Sequence, residues 1–375
     1  MEGKVDKNKD IFSLSSYDFK IDESRIRKYP RENREDAKLL VVDKSGNIKF
    51  DGIFKDIANF LNENSILVLN NTRVIKSRIL AKRLKTNKEI EILIIEKINS
   101  SSFLGLVKNQ KSFKISEKLE VLNRQWNFQV TNESYPKEGY GEDKQQSLVL
   151  TVVDKNEEGI VINFGFDANL DFVDSLGKIP IPPYLRRESE KIDEIYYQTV
   201  YSSKKGSVAA PTAGLHFTDN LLNQIEQNGT KLCYLTLHVG WGTFKPVRTD
   251  DIREHRIHKE YYSIPENTAE TLNKAIKEGK KIIACGTTTL RALEGCFQEN
   301  RAIVASEGET SIYIYPGFRF NVVDGLVTNF HTPKSSLLML VSAFAGYENI
   351  KKYYEYAINN DFSFFSYGDS MFILP

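Results

Sequence analysis

The stretch KKIIACGTTTLRALEGCF (280–297) decides the fold of this 375-residue chain. Its apolar run IIAC ends at Gly286. The residues that follow place Leu290, Leu293 and Phe297 on one face at helical spacing. A short apolar strand that passes through a glycine into a helix is typical of a sheet covered by helices. The stretch therefore predicts an α/β domain.

The same alternation of apolar strands and helices extends to both sides of this stretch. It covers residues 17–72 and resumes over 167–375, with a helix over 267–278. Ser335 or Ser336 is the expected N-cap of the apolar SLLMLVSAFAG helix. We therefore expect one discontinuous main domain, with a largely parallel sheet and helices on both faces.

Residues 73–166 have a different pattern and predict an inserted domain. Short strand-like runs recur, separated by Asn, Gly, Lys and Ser, and no helical period is visible. Such a pattern is typical of a small antiparallel barrel or sandwich. The runs are VIKSRILAKRL, KEIEILIIEKI, SFLGLVK, KLEVL, WNFQV, SLVLTVV and GIVINFG.

Charge and cysteine content narrow the class of protein only in part. The 51 Lys and Arg residues almost balance the 50 Asp and Glu residues, so net charge gives no argument for or against nucleic acid. Cys233, Cys285 and Cys296 form no close pair, which disfavours a disulfide framework or a zinc site. Residues 1–16 are charged and precede no apolar segment, so we expect a disordered leader on a cytoplasmic protein.

All five histidines fall within one part of the chain. His216, His238 and His331 lie where apolar runs end, in AAPTAGLHFT, TLHVGWGTF and TNFHTPKSS. An α/β protein carries its site at such strand ends, and imidazole exchanges protons near neutral pH. We therefore expect at least one of the three in an active site. His255 and His258 have i, i+3 spacing but no third ligand in register, so we expect no metal.

Two glycine-containing turns are candidate ligand sites. In CGTTTLR (285–291) a helix begins after a glycine, and its free amides and positive dipole end suit an anion or a polar ligand. A cation in the first turn, Arg291, needs a carboxylate partner from the protein or from a ligand. The second turn contains Gly240 and Gly242, which permit close approach of a ligand, although a tight turn explains them equally well.

Cations beside rigid or strand-end segments are candidate phosphate contacts. KIPIPPYLRR (178–187) contains three prolines followed by Arg186 and Arg187, which suits phosphate binding or a surface linker. Asn329 and Lys334 belong to the loop of the last histidine.

Eight segments together resemble one family. They are LNNTRV, IPPYLRR, YQTVYS, GSVAAPTAGLHFT, TLHVGWGTFKPV, CGTTTLR, TNFHTPKSSLLMLVSAFAG and FFSYGDSM. In order and spacing, from about Tyr17 to the C-terminus, they resemble the S-adenosylmethionine:tRNA ribosyltransferase-isomerase family of queuosine biosynthesis.

The resemblance implies a fold and a reaction. The fold is an α/β domain plus a small antiparallel β-barrel. The ribosyl unit of S-adenosylmethionine is transferred and isomerised onto 7-aminomethyl-7-deazaguanine at the tRNA wobble position. Epoxyqueuosine-tRNA forms, adenine and methionine leave, and the donor is consumed. We expect a monomer that acts on tRNA without a metal.

The resemblance also gives the candidate residues a chemical context. We expect proton transfer by His238, then His331, then His216 in order of preference. For S-adenosylmethionine the candidates are Gly240, Gly242, Gly286, Thr287, Thr288, Arg291 and Asn329. For tRNA phosphates they are Arg186, Arg187, Lys334 and Arg73.

The chain departs from the family pattern at a few positions. Asn71 stands where Asp is common, and we interpret it as structural because an amide keeps the hydrogen-bonding shape. Thr332 stands where Leu usually follows His331. The main alternative is a tRNA-binding protein without catalysis. A methyltransferase is a further alternative, but it normally shows an early Gly-rich strand–turn–helix, which this sequence lacks.

Overall fold

A computed structural model describes residues 10–122, 147–244 and 247–375 of the chain. The chain divides into two compact units. The main unit comprises Met1–Arg73, Pro182–Glu188 and Glu194–Pro375. The second unit comprises Val74–Ile181 and Ser189–Asp193.

The main unit contains a nine-stranded mixed sheet. In spatial order its strands are β15 (Ser306–Thr310), β13 (Glu260–Ile264), β12 (Lys231–Leu237), β3 (Ser65–Asn70), β14 (Lys281–Cys285), β16 (Gly325–Asn329), β17 (Ser370–Ile373), β1 (Lys38–Val42) and β2 (Ile48–Ile53). Strands β12, β3, β14 and β16 are mutually parallel, and β17 is parallel to β1. The other four pairings are antiparallel.

The α/β class is thus confirmed, but the expectation of a largely parallel sheet needs correction. The parallel core is flanked by antiparallel strands. For β2 the reason is local, because the turn at 43–47 joins it directly to β1 and so short a connection makes the two strands run in opposite directions.

Helices cover both faces of this sheet, as the sequence predicts. Along β1, Leu39 and Val41 enter one apolar core, and Leu40 and Val42 enter the other. The first core is completed by α3 (Asp219–Gln227) and the 3-10 helix Phe54–Phe60. The second is completed by α4 (Glu266–Lys277), α5 (Thr287–Asn300), α6 (Ser336–Ala345) and α7 (Tyr347–Asn359). The expected cap at Ser335 is confirmed, because its side chain accepts the Leu338 amide.

The second unit is a closed antiparallel barrel of β5 (Arg78–Arg83), β6 (Lys88–Lys97), β7 (Ser102–Val107), β8 (Lys118–Val121), β9 (Val149–Lys155) and β10 (Ile160–Asn163). The predicted strand WNFQV (126–130) lies outside the described residues. The unit continues beyond the expected boundary at 166, because Phe172 and Leu176 of helix α1 (Leu170–Leu176) pack into the barrel core. The remaining elements are α2 (Lys191–Tyr196) and a ribbon of β4 (Thr72–Val74) with β11 (Lys204–Ser207).

The expectation of a disordered leader over 1–16 fails for residues 10–16. The backbone N–H of Leu14 donates to the carbonyl of Asp250 at 2.8 Å, and Ser13 forms a β-bridge with Asp251. These contacts order the segment, whereas residues 1–9 lie outside the described part. Among the described helices, none is long and apolar enough to cross a membrane.

Candidate active site

A cavity of about 360 Å³ lies in the main unit, where β14 and β16 end. Ligand sites of α/β proteins occur at this edge of the sheet, and the volume suits a small molecule. Within the described chain, none of the lining residues carries a charge. They are Pro183, Tyr184, Ala210, Pro211, Thr212, Ala213, Val239, Gly286, Thr287, Thr288, Thr328, Asn329, Phe330, His331, Thr332, Pro333, Ser335, Leu337, Phe365 and Ser366.

The N-terminus of α5 forms one wall of the cavity, as the CGTTTLR turn suggests. Gly286 is the N-cap of α5, and its φ of +88° lies in the left-handed region. A Cβ at this position would meet nothing closer than 3.5 Å, so the backbone angle and not the space favours glycine. As a glycine, this N-cap has no side chain with which to cap α5. The first amides of a helix have no acceptor within it, so this end can serve a ligand.

Asn329, which ends β16, is also part of the wall. Its side chain is buried, and Nδ2 donates to the Phe365 carbonyl at 3.1 Å and to Nε2 of His216 at 3.2 Å. The other amide atom, Oδ1, is buried and has no hydrogen-bond partner among the described residues. A buried acceptor without a donor is costly, so the side chain suits a ligand that supplies one.

His331 lines the same cavity. Its Nε2 lies 2.8 Å from Oγ1 of Thr328, and its backbone N–H donates to the Tyr354 hydroxyl at 2.8 Å. Burial lowers the pKa of His331 to about 3, so the imidazole is neutral at pH 7. A neutral imidazole held by hydrogen bonds is able to accept a proton from a ligand.

The other two candidate histidines do not line the cavity. Nδ1 of His238 lies 2.7 Å from Oγ1 of Thr72, and its ring stacks on Tyr261 with 5.4 Å between centroids. The next residue, Val239, lines the cavity instead, because successive side chains of extended chain point in opposite directions. His216 does not reach the lining but contacts Asn329, which does, through its Nε2. Of the three candidate histidines, His331 alone lines this cavity, and the order of preference among them stays a prediction.

Arg291 has a protein partner and is not a cavity residue. It is buried, and Nη1 forms an ion pair with the Glu260 carboxylate. The same carboxylate accepts the Gly240 amide at 3.0 Å, and Gly242 packs against the ring of His258. Arg291, Gly240 and Gly242 thus have contacts within the protein, whereas Gly286, Thr287, Thr288 and Asn329 line the cavity. Ligand binding by these residues stays a prediction.

The four cations expected to bind tRNA lie at the surface, apart from the cavity lining. Arg73 is exposed. The guanidinium of Arg187 packs over the Tyr29 ring, with Cζ 4.3 Å from the ring centroid. The partners are the Glu23 carboxylate for Arg186, the Lys28 carbonyl for Arg187 and the Asp18 carboxylate for Lys334.

The cavity also has an aromatic and hydroxyl wall, which the sequence patterns do not predict. Tyr184 and Ser366 share a hydrogen bond, and burial raises the pKa of Tyr184 to about 12. The Phe365 ring lies 4.9 Å from that of Tyr184, and the φ of Phe365 is +71°, which is strained for a non-glycine residue. The segments IPPYLRR and FFSYGDSM contain these residues, but in IPPYLRR the two arginines are the more conspicuous signal.

Two further expectations concern residues outside the cavity lining. Asn71 accepts a hydrogen bond from Oγ1 of Thr236 at 2.7 Å, which is a structural contact. Among the described residues, no three His, Cys, Asp or Glu side chains are grouped to hold a metal ion. His255, the first of the two histidines with i, i+3 spacing, packs edge-on against Tyr313 with 5.3 Å between the ring centroids.

Comparison with known proteins identifies the family. The model of the queuosine biosynthesis protein family matches residues 14–373. The chain is 40% identical to proteins named S-adenosylmethionine:tRNA ribosyltransferase-isomerase from Halothermothrix orenii and a Sulfurihydrogenibium species, over 96% of this chain and 99% of each relative. A solved structure, S-adenosylmethionine tRNA ribosyltransferase from Thermotoga maritima, is 28% identical, with a TM-score of 0.52 over 96% of this chain and 100% of that chain. The chain belongs to the queuosine biosynthesis protein family.

Proposed function

We propose that this protein is an S-adenosylmethionine:tRNA ribosyltransferase-isomerase. It transfers and isomerises the ribosyl unit of S-adenosylmethionine onto 7-aminomethyl-7-deazaguanine in tRNA, giving epoxyqueuosine-tRNA, adenine and methionine. One observation carries the proposal beyond the family match: every residue that lines the cavity falls within six of the eight segments that resemble this family. The segments are far apart in sequence, and the fold brings them to one place.

The cavity offers a site for the donor. The α5 N-terminus at Gly286, Thr287 and Thr288 suits the methionine carboxylate, because amide dipoles favour an anion there. A carboxylate does not fit beside Oδ1 of Asn329, which calls for an N–H or O–H group. The faces of Tyr184 and Phe365 suit the sulfonium, since aromatic faces attract cations.

His331 is the proposed base. The positive sulfur acidifies the C5′–H bond of the ribose, and the neutral imidazole takes that proton, which leaves a sulfur-stabilised carbanion. The carbanion electrons then drive ring opening and loss of adenine. Thr328 holds the imidazole through the 2.8 Å contact at Nε2. A base fixed in this way needs little reorganisation during proton transfer.

The surface cations Arg73, Arg186, Arg187 and Lys334, of which Arg187 and Lys334 are half-buried, remain the proposed contacts to tRNA phosphates. Exposed ion pairs contribute little stability, so the carboxylates of Glu23 and Asp18 are readily exchanged for phosphate. The proposal also includes a cytoplasmic location and action as a monomer.

The test is a reaction with S-adenosylmethionine and tRNA that carries the aminomethyl precursor. We expect free adenine and, by mass spectrometry of the tRNA, an epoxycyclopentanediol adduct. A methyl adduct indicates a methyltransferase, and binding without consumption of the donor indicates a non-catalytic tRNA-binding protein. Either result contradicts the proposal.

A matched pair of variants links turnover to the cavity. Thr332 is half-buried at its wall, so Thr332→Trp fills space that the donor needs. Thr332→Leu introduces the residue usual in the family and serves as the control. We expect loss of donor binding in the first variant and near-normal turnover in the second.

A further inference from the structure

The Asn329 side chain has only one orientation that its neighbours accept. The Phe365 carbonyl lies 3.1 Å from one amide atom of Asn329, and a carbonyl can only accept a hydrogen bond. That amide atom is therefore Nδ2, and Oδ1 is the atom without a partner. A rotated amide would bring two oxygens together at the Phe365 carbonyl.

His216 supplies the second acceptor for this NH2 group. Its Nε2 lies 3.2 Å from Nδ2 of Asn329, so Nε2 carries a lone pair and Nδ1 carries the hydrogen. Protonation would turn Nε2 into a second donor that faces a donor, and the contact would be lost. His216 is therefore useful to Asn329 only as a neutral imidazole.

The surroundings of His216 keep it neutral. The side chain is buried, and its ring packs on Phe54 with 4.9 Å between centroids. Burial, followed by the positive charges of Arg31 and Arg34, lowers the pKa of His216 to about 3. His331 has a similarly low pKa, so the difference between the two histidines is one of position: His216 does not line the cavity, and its Nε2 already accepts from Asn329.

We infer that His216 is a positioning residue, which holds the Asn329 amide so that Oδ1 receives an N–H or O–H group of the ligand in the cavity. The inference rests on the proposed function, in which that ligand is S-adenosylmethionine. It assigns Asn329 a specificity role, since Oδ1 accepts an amino or hydroxyl group and repels a carboxylate. It removes His216 from the acids and bases of the reaction.

The test compares the binding of S-adenosylmethionine to variants by calorimetry. His216→Phe keeps the ring but removes the acceptor, and we expect Kd to rise about tenfold, the typical effect of one buried neutral hydrogen bond. His216→Gln restores an acceptor oxygen, and we expect it to recover most of the affinity. Asn329→Ala weakens binding by a similar factor. Adding His216→Phe to it changes Kd little further, because both replacements remove one contact.

Several outcomes would overturn the inference. A folded His216→Phe protein with wild-type Kd would do so, as would full additivity with Asn329→Ala. A loss of kcat with unchanged Kd would instead return His216 to proton transfer. If the wild-type enzyme releases no adenine from S-adenosylmethionine in the presence of the precursor tRNA, the proposed function fails, which is a separate result.

A measurement on the unaltered protein guards against variants that do not fold. The ¹⁵N chemical shifts of the His216 imidazole report which nitrogen carries the hydrogen. We expect a protonated Nδ1 and a bare Nε2 at pH 7. A protonated Nε2 would contradict the inference.

Discussion

The buried ion pair between Arg291 and Glu260 joins α5 to β13 and provides the sharpest test of stability. The side chains are only 2% and 3% exposed. Replacing Glu260 by Gln leaves the guanidinium buried with no opposite charge, which typically costs about 3–5 kcal/mol. In the wild type the Gly240 N–H donates to the Glu260 carboxylate at 3.0 Å, and glutamine retains an oxygen that can accept this hydrogen bond. We therefore expect a loss near the lower end of that range, about 3 kcal/mol.

Urea unfolding followed by circular dichroism measures this loss. The matched control is Glu309→Gln, which removes the carboxylate partner of Lys259 on an adjacent strand. That pair is 70% and 56% exposed, so we expect a change within about 0.5 kcal/mol. A loss below about 1 kcal/mol for Glu260→Gln would refute the reasoning, because it would mean that the charge is not isolated from water.

A double replacement separates stability from ligand binding. Glu260→Leu combined with Arg291→Met exchanges the pair for apolar side chains, and such exchanges commonly recover the stability that breaking a pair removes. Since Arg291 does not line the cavity, we expect Kd for S-adenosylmethionine to stay within about threefold of the wild type. A folded double variant that no longer binds the donor would show that Arg291 reaches the ligand.

Three other predictions concern residues that line the cavity and His216, which contacts Asn329. Gly286→Ala forces a side chain onto a φ of +88°, and we expect thermal unfolding to show a loss of about 1–2 kcal/mol; an unchanged midpoint would contradict this. His216 and His331 have pKa values lowered to about 3, so the unfolded chain binds more protons below its own pKa near 6.5. Stability is then full above pH 6.5 and falls towards pH 3, by roughly 2 kcal/mol per histidine at pH 5; urea midpoints that do not fall between pH 7.5 and pH 5 would count against it. Thr328→Val removes the hydroxyl beside Nε2 of His331, and adenine-release assays should show kcat at least about tenfold lower with Kd nearly unchanged; normal kcat would exclude His331 as the oriented base.

Local patterns in the sequence predict much of the fold. The apolar spacing in 280–297 gives β14 and α5, and the alternating runs of 73–166 give six barrel strands. Each of these signals lies within one short segment, where period and turn residues are visible. The order and direction of strands across the sheet depend on pairing between distant segments, so the mixed character of the sheet is not visible in any one of them.

The site was predictable only in its general location. The turn after β14 and the loop after β16 do form the cavity, because strand ends meet at one edge. The partner of Arg291 lies 31 residues away, and Tyr184 meets Ser366 across 182 residues, with no local pattern to signal either contact. Likewise, no sequence pattern tells whether His238 or Val239 turns towards the cavity.

The uncharged lining of the cavity has a consequence for how the two substrates respond to ionic strength. Donor binding that uses amides, aromatic faces and one amide oxygen releases few ions, so its affinity should hardly change with added salt. Contacts between Arg or Lys and phosphate release condensed counterions, so affinity for tRNA falls steeply between about 50 and about 200 mM salt. Salt alone would then free the enzyme of tRNA while leaving it loaded with donor.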